Sequence, residues 1–422
     1  LPRSPSLKIA VVGAGLAGLS AAWWLGQRHR VTLYERLPRP GFTAASVQAP
    51  GSAERIDVPL RVFYPGYYPT LTRLYDALGV ASEPVSYAAS FLDAQGRLYF
   101  RYRNLRLLGR SFSYALPQEA LLAGRGRGVV RGLLQFQRRA VPALASGALS
   151  GLSLDELVRD YPQPFVEDFL LPAVCTVCTC TTAAARRMPA AVVVDYLSRG
   201  LTRQGVRRAV RGADEVERLL RAGIPQLRCP APVAAVRRNP KSVTVQQGDG
   251  SRERFDHVVI AAPAHHAQAM LEDASTAEAA VLSAFRYQPV EVLTHTDAAL
   301  MPPRRRDWSP VNLRIAPGHD APESTIWVNA VQPALLGQAD VFQTVHPQRE
   351  PDAGQVIGRA RFERPVVDAR TQKALARLQR LQVQPDRRVW FCGSYAQAGI
   401  PLLESAVRSA HDVVQRIDPA LG

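Results

Sequence analysis

The sequence predicts an α/β fold in two parts, a three-layer unit with a parallel sheet and a β-meander, and an α+β unit inserted into it. Three observations predict it. The chain opens with an apolar strand, a glycine turn and a helix, from Lys8 to Gly26. It closes with a second strand-to-helix unit, from Val389 to Ile417. Between them, Pro232 to Pro263 reads as a hairpin followed by a buried strand that ends in small residues. Strands alternating with helices are the pattern of a parallel sheet covered on both faces.

The first element carries the most chemistry. Lys8 to Val12 is a continuous apolar strand, followed at once by Gly13-Ala14-Gly15-Leu16-Ala17-Gly18. Leu19 to Gly26 continues as a helix, and Arg30 to Tyr34 is a second strand that ends at Glu35. Gly13 permits a tight turn, Gly15 lets the backbone approach a pyrophosphate, and Gly18 lets the helix lie close to the strand. The helix start offers free N–H groups and the positive end of its dipole to phosphate. Glu35 lies 17 residues beyond Gly18, where a carboxylate accepts from both hydroxyls of a ribose. The same carboxylate disfavours a 2′-phosphate, which argues against NADP. Arg36, next in sequence, is a further candidate contact. Strand, glycine turn, helix, strand and acid together predict a Rossmann-like dinucleotide-binding domain. The turn alone leaves NAD and FAD open.

The closing element narrows the choice. Val389 to Ser394 is a buried strand ending at Gly393. Glu404 to Ile417 is an amphipathic helix with Ala406, Val407, Ala410, Val413, Val414 and Ile417 on one face. In the middle element, Pro232 to Val236 pairs with Val243 to Gln247, and Phe255 to Pro263 is the buried strand. A simple NAD dehydrogenase does not need a strand and helix at the far end of its chain. The three elements, in this order, resemble the FAD-dependent amine oxidase, desaturase and protoporphyrinogen oxidase superfamily. The resemblance implies a non-covalent FAD. Gly393, Ser394, Leu403, Glu404, Ser405 and Ala406 would then meet the ribityl chain, phosphate and pyrimidine edge. Val233 would lie on the adenine side, and the Ala262-Pro263 turn near the pyrophosphate. It also implies a discontinuous FAD-binding domain, residues 7–90, 206–285 and 386–422. Residues 91–205, mostly helical, and 286–385 would form the substrate domain.

Further stretches resemble one bacterial subfamily associated with cyclopropane-fatty-acyl-phospholipid synthases. They are Asp57 to Phe63, Phe285 to Pro289, Thr294 to Asp297, Met301 to Trp308, Val341 to Pro347 and Trp390 to Tyr395. This implies a desaturase or dehydrogenase that moves hydride from a modified fatty acyl chain or other lipid to flavin N5. A lipid-modifying methyltransferase is the implied partner. The chain departs from amine oxidases in two ways. Their Gly-Gly-Arg stretch after the ribose acid is here Arg39-Pro40-Gly41-Phe42, and only Lys8, Lys241 and Lys373 are lysines. None suits a lysine near flavin N5. Two alternatives stay open, an oxidase of amines or amino acids and a non-catalytic flavin-containing partner of a methyltransferase.

Side-chain candidates for chemistry are few, because flavin oxidation asks little of the protein. His295, in an apparent strand, is either a proton carrier or a hydrogen-bonded core histidine. Arg61, which the family resemblance places close to the isoalloxazine, would stabilise a reduced flavin or bind an acidic substrate; otherwise it is a surface arginine. Cys180 is expected to face the substrate pocket. With Cys175 and Cys178 it lacks the further ligands of a metal site, so no metal is expected. Phe63, Tyr64, Tyr67 and Tyr68 wall a lipid pocket or pack the domain.

Bulk properties bound the rest. The 422 residues suffice for two domains, and 47% hydrophobic with 21% charged residues is ordinary for a globular enzyme. The formal net charge is +16, nearly all arginine. That reflects either codon usage or an anionic partner, a membrane surface before nucleic acid, for which no recognition signature is present. The stretch from Leu105 to Ala140, with Arg125, Arg127, Arg131, Arg138 and Arg139, is the candidate membrane face. Five cysteines in a long chain argue for a reducing cytoplasm over a disulfide framework. No apolar run reaches the roughly 20 residues of a membrane span, so attachment to the inner membrane would be peripheral.

Overall fold

The computed structural model describes residues 6–107, 110–114, 124–199 and 205–421. In chain order its main elements begin with β1 (Lys8–Val12), α1 (Leu16–Gly26), β2 (Arg30–Tyr34) and α2 (Pro69–Leu78). Then come β3 (Ala89–Leu92), β4 (Leu98–Leu107), β5 (Arg110–Tyr114), α3 (Gly124–Ala145), α4 (Leu171–Cys178) and α5 (Ala190–Ser198). The chain continues through α6 (Gly212–Ala222), β6 (Gln226–Arg228), β7 (Val233–Asn239), β8 (Ser242–Gln247), β9 (Arg252–Phe255) and β10 (His257–Ile260). The last third holds α7 (Ala264–Met270), β11 (Tyr287–His295), β12 (Val311–Arg314), β13 (Glu323–Trp327), β14 (Phe342–Val345) and β15 (Val356–Pro365). It ends with α8 (Ala369–Leu381), β16 (Val389–Phe391) and α9 (Leu403–Ile417).

The predicted α/β fold is present. A five-stranded sheet runs β6-β2-β1-β10-β16, and every pair in it is parallel. Ile9 to Val12 are buried because α1 and α9 cover one face of the sheet and the meander β7-β8-β9 with α7 and α8 covers the other, which is why β1 is a continuous apolar run. The antiparallel meander β7-β8-β9 stands beside it. α1 is buried nearly all round, and α9 packs against it through Val407, Ala410 and Val414. The sheet is therefore finished only when the last strand docks on β10, Ile260 opposite Phe391.

An eight-stranded sheet, β15-β11-β14-β13-β12-β3-β4-β5, forms the second unit. The first insertion is helical from α3 onward, and residues 89–114 before it supply three strands of this sheet. β3 also crosses the expected junction at residue 90. Its four residues are too short to show a period; it pairs with β4 just after it, Phe91 opposite Phe100, and with distant β12, Ala89 opposite Val311. Ser82–Pro84 and Arg207–Ala209 pair antiparallel where the chain passes between the two units. Among the described residues, no helix is long and apolar enough to cross a membrane.

Candidate functional site: a nucleotide cradle beside two cavities

The glycine turn separates three jobs. Gly13 has φ +103° and donates to the Tyr34 carbonyl at 2.8 Å, closing β1 onto β2. A Cβ on Gly18 would stand 1.8 Å from the Gly13 carbonyl oxygen, so this glycine sets how closely α1 approaches the turn. A Cβ on Gly15 would meet nothing within 4 Å. Open space there is what a bound pyrophosphate requires. Ala14 and Leu16 are buried beside it, Ala17 behind them, and α1 has no side-chain cap, so its first N–H groups remain available.

Glu35 is buried at the end of β2 and anchors the turn itself. It accepts from Ala14 N at 2.8 Å and from Leu37 N at 2.9 Å. A carboxylate has about four acceptor sites, so lone pairs remain for a ribose. The Glu35 backbone bonds to Arg228 O and Ala231 N, which brings half-buried Val233 to the same side. Arg36 is exposed.

The C-terminal pieces arrive at the ends of neighbouring strands. Ala262 N lies 3.4 Å from the position of a Gly13 Cβ, and Pro263 opens α7. Cys392 N donates to Ile260 O, which sets Gly393 beside that turn. Gly393 has φ +142° and exchanges both backbone bonds with the Ser409 hydroxyl, at 2.9 Å each. Ser394 begins a short 3₁₀ turn. Leu403 and Ala406 lie in the first turn of α9, also without a side-chain cap. Carboxyl ends of adjacent parallel strands are where open α/β sheets bind ligands. Two sequence candidates have other employment. The Ser405 hydroxyl donates to Ile400 O at 2.7 Å, and the Glu404 carboxylate accepts from Thr70 N and Leu71 N at the start of α2. Burial raises the Cys392 thiol to about 12, which leaves it poorly suited to covalent chemistry.

Arg61 joins the cradle through Phe42. Its Nη2 donates to Phe42 O at 2.5 Å, its guanidinium lies 4.0 Å from the Phe42 ring centre, and Phe42 N donates to Ala14 O. Its Nη1 is buried without a partner. The cation therefore sits against the segment that packs on Ala14 of the glycine turn, with one donor to spare. Nearby Asp57 is spent on Ala213 N at the start of α6.

Two cavities adjoin the loop before α9. One, about 50 Å³, is lined almost wholly by apolar groups, among them Phe91, Tyr102, Val177, Val193, Tyr196, Leu313 and Ile400. The other, about 20 Å³, is lined by Cys178, Cys180, Gln288, Arg364, Val366 and Pro401 among others. Ile400 and Pro401 are adjacent, and Tyr67 holds their loop by accepting from Ile400 N at 2.9 Å. Tyr64, Tyr67 and Tyr68 thus back the cavity wall from the core; Tyr196, whose ring meets Tyr67 at 4.8 Å, forms the wall.

Cys180 lines the smaller cavity. Bonds from the Cys175 and Cys178 thiols, aided by His346 and Arg364, hold it well below the usual thiol range and push the other two thiols up. Among the described residues, the group with metal-ligand spacing is not these cysteines but His265, His266 and Glu363.

His295 is the clear correction. It is 0% exposed within the eight-stranded sheet, its Nε2 is 2.8 Å from Thr344 Oγ1, and Nδ1 has no partner. It lines neither cavity. Burial lowers its pKa to about 4 from 6.5, so it is neutral at pH 7. The unfolded ring binds a proton that the folded ring refuses, so stability falls as pH drops from about 6.5 to 4. The contribution is roughly 3 kcal/mol. His257, lowered to about 4, acts in the same window. His295→Gln should shrink this acid limb in chemical denaturation without altering the pH profile of flavin reduction. An unchanged limb, or a displaced kinetic profile, would restore His295 as a proton carrier.

Several wall residues escaped sequence reasoning, Arg364, Gln288, Ile400 and Pro401 among them. Only Arg364 left a signal. It breaks the alternation of Arg359, Arg361 and Glu363.

Comparison with known proteins agrees with this geometry. Residues 11–78 match the model of the NAD(P)-binding Rossmann-like domain. A 79-residue stretch, 18% of this chain, is 44% identical to the chloroplastic/chromoplastic zeta-carotene desaturase of Zea mays, and spans 13% of that protein's length. The whole fold is similar to the CLA-producing fatty acid isomerase from P. acnes (TM-score 0.68, 16% identity, 98% of this chain and 100% of that one). It is likewise similar to cyclohexylamine oxidase from Brevibacterium oxydans (TM-score 0.66, 14% identity, 98% and 100%). At these identities the structural likenesses establish a shared fold.

Proposed function

We propose that this protein is an FAD-dependent oxidoreductase acting on an acyl chain or similarly apolar substrate, with the cofactor held non-covalently. One observation carries the substrate class. The apolar cavity ends on Ile400, in the loop between Gly393 and α9, the two elements assigned to the flavin. When bound, the flavin supplies a hydride acceptor. Gly13 to Gly18, Glu35 and Val233 would hold its nucleotide half; Gly393, Ser394 and the first turn of α9 the other half; Arg61 offers its free Nη1. Tyr102, Phe91, Val177 and Leu313 position an apolar substrate and keep water out.

The lysines favour this reading over amine oxidation. Lys8 pairs with Glu253 at 2.9 Å, Lys241 and Lys373 are exposed, and none lines either cavity. The fatty acid isomerase that shares the fold, and the desaturase that shares a segment, lend it support.

The same reading places the protein on lipid through α3. Arg127, Arg131 and Arg138 are exposed on one face with Leu134, which is 55% exposed; Gly126, Val129, Gly132, Phe136 and Ala140 face inward. None of these three arginines has a carboxylate partner among the described residues. Arg125, by contrast, pairs with Asp168 at 3.2 Å. The stretch from 115 to 123, part of the expected basic segment, lies outside the described residues.

The test is anaerobic bleaching of the bound flavin's visible absorption. Acyl lipid in anionic vesicles should bleach the protein, and the combined substitutions Arg127→Glu, Arg131→Glu and Arg138→Glu should slow this for vesicles but not for lipid dispersed in detergent. Bleaching by amines with none by any acyl lipid would sink the proposal.

A further inference from the structure

Arg364 is the out-of-place charge of the second unit. Along β15, Arg359, Arg361 and Glu363 are exposed and paired: Arg359 and Arg361 with Glu291 at 3.2 and 3.0 Å, and Glu363 with His265 at 3.3 Å. Side chains alternate across a strand, so Arg364 falls on the opposite, inward side with Phe362. It is half-buried. Among the described residues no carboxylate lies within ion-pair distance and no hydrogen bond satisfies it; its Nε is buried without a partner. Neither Cys178 nor Cys180 accepts a bond from it, although both share its cavity wall.

A guanidinium does not escape burial by losing its proton. Its charge persists; the lowered Cys180 thiol on the same wall is a counter-charge but accepts no bond from it, and a charge without a bonded partner in such a place costs stability. The protein tolerates that cost at a cavity wall, next to Pro401 and one residue from the apolar cavity's Ile400. The planar fork of an arginine matches an oxyanion with two oxygens.

We propose that Arg364 receives the oxyanion at the end of the substrate's acyl chain, a carboxylate or a phosphate, while the chain itself occupies the apolar cavity across the Ile400-Pro401 loop. This rests on the acyl reading above, but binding can be read without turnover, so the two stand or fall separately.

The experiment titrates the flavin-loaded protein with decanoate, decyl phosphate and methyl decanoate, and follows the perturbation of the bound flavin's visible spectrum. Wild type should bind at least one anion. Arg364→Gln should weaken that anion by at least about tenfold, the worth of a charge-assisted bond, and leave the ester unchanged. Arg364→Lys should recover part of the loss. Which anion responds tells a free acid from a phosphorylated headgroup. Arg364→Met should unfold no earlier than wild type, since it removes an unpaired charge; a clear loss of thermal stability would mean the arginine has a structural partner, and overturns the proposal. So would equal anion binding in wild type and Arg364→Gln, a matching loss for the ester, or no anion binding by wild type.

Discussion

Gly15→Ala is expected to fold normally and to lose flavin, whereas Gly18→Ala is expected to lose the fold's stability first. The two glycines sit three residues apart in one motif, but the protein surrounds them differently. Gly15 has φ −73° and ψ 177°, extended backbone open to any residue, and a Cβ there meets no protein atom within 4 Å. Nothing inside the protein demands glycine at this position. An added methyl would fill the space assigned to the pyrophosphate, so apo stability should stay within about 0.5 kcal/mol of wild type while flavin affinity falls at least tenfold, roughly one charge-assisted contact. At Gly18 the added carbon would lie 1.8 Å from the Gly13 carbonyl oxygen, and backbone must move to admit it. Overpacking of that kind costs about 1–3 kcal/mol. Denaturation of the apo forms and absorbance titration with FAD separate the two outcomes. If Gly15→Ala keeps wild-type FAD affinity, no pyrophosphate approaches that point.

Glu404→Ala should cost about 2–4 kcal/mol of stability while sparing the flavin once the protein is folded. The buried carboxylate accepts from Thr70 N at 3.1 Å with both oxygens and from Leu71 N at 2.9 Å. α2 begins with Pro69, and Tyr68 before it offers no side-chain cap, so Glu404 serves as the cap from the far end of the chain. A negative charge at a helix start also gains from the helix dipole. Glu404→Gln keeps an acceptor and should lose less. The measurement is paired, denaturation midpoint and flavin content of the folded fraction. A variant that is fully stable but colourless would instead make this side chain a cofactor ligand.

Much of the cradle was legible because its parts are local. Gly13, Gly15 and Gly18 follow one strand and open one helix, and Glu35 ends the next strand, so spacing alone assigns them related positions. The α9 face was legible from its period. The carboxylate of Glu404 was not, because its partners lie 333 and 334 residues away. His295 misled for a similar reason. A histidine in a strand shows nothing of the Thr344 hydroxyl opposite it, or of the burial that keeps it neutral. β3 was hidden by length, four residues that show no period, and one of its two neighbours lies more than two hundred residues on.

What this sequence determined by itself was the parallel α/β unit, its glycine turn and acid, and the return of the C-terminus to complete the sheet. Those features depend on hydrophobic period and on glycine's lack of a side chain, both written within a few residues. Tertiary structure alone decided which side chains meet. It spent Glu404 and Ser405 on other backbone, left Gly15 facing open space, set Ile400 and Pro401 between two cavities, and turned Arg364 inward without a carboxylate partner among the described residues. Burial and partnership arise only when distant segments pack, and the chemistry of a charged or polar group is fixed by the company that packing gives it.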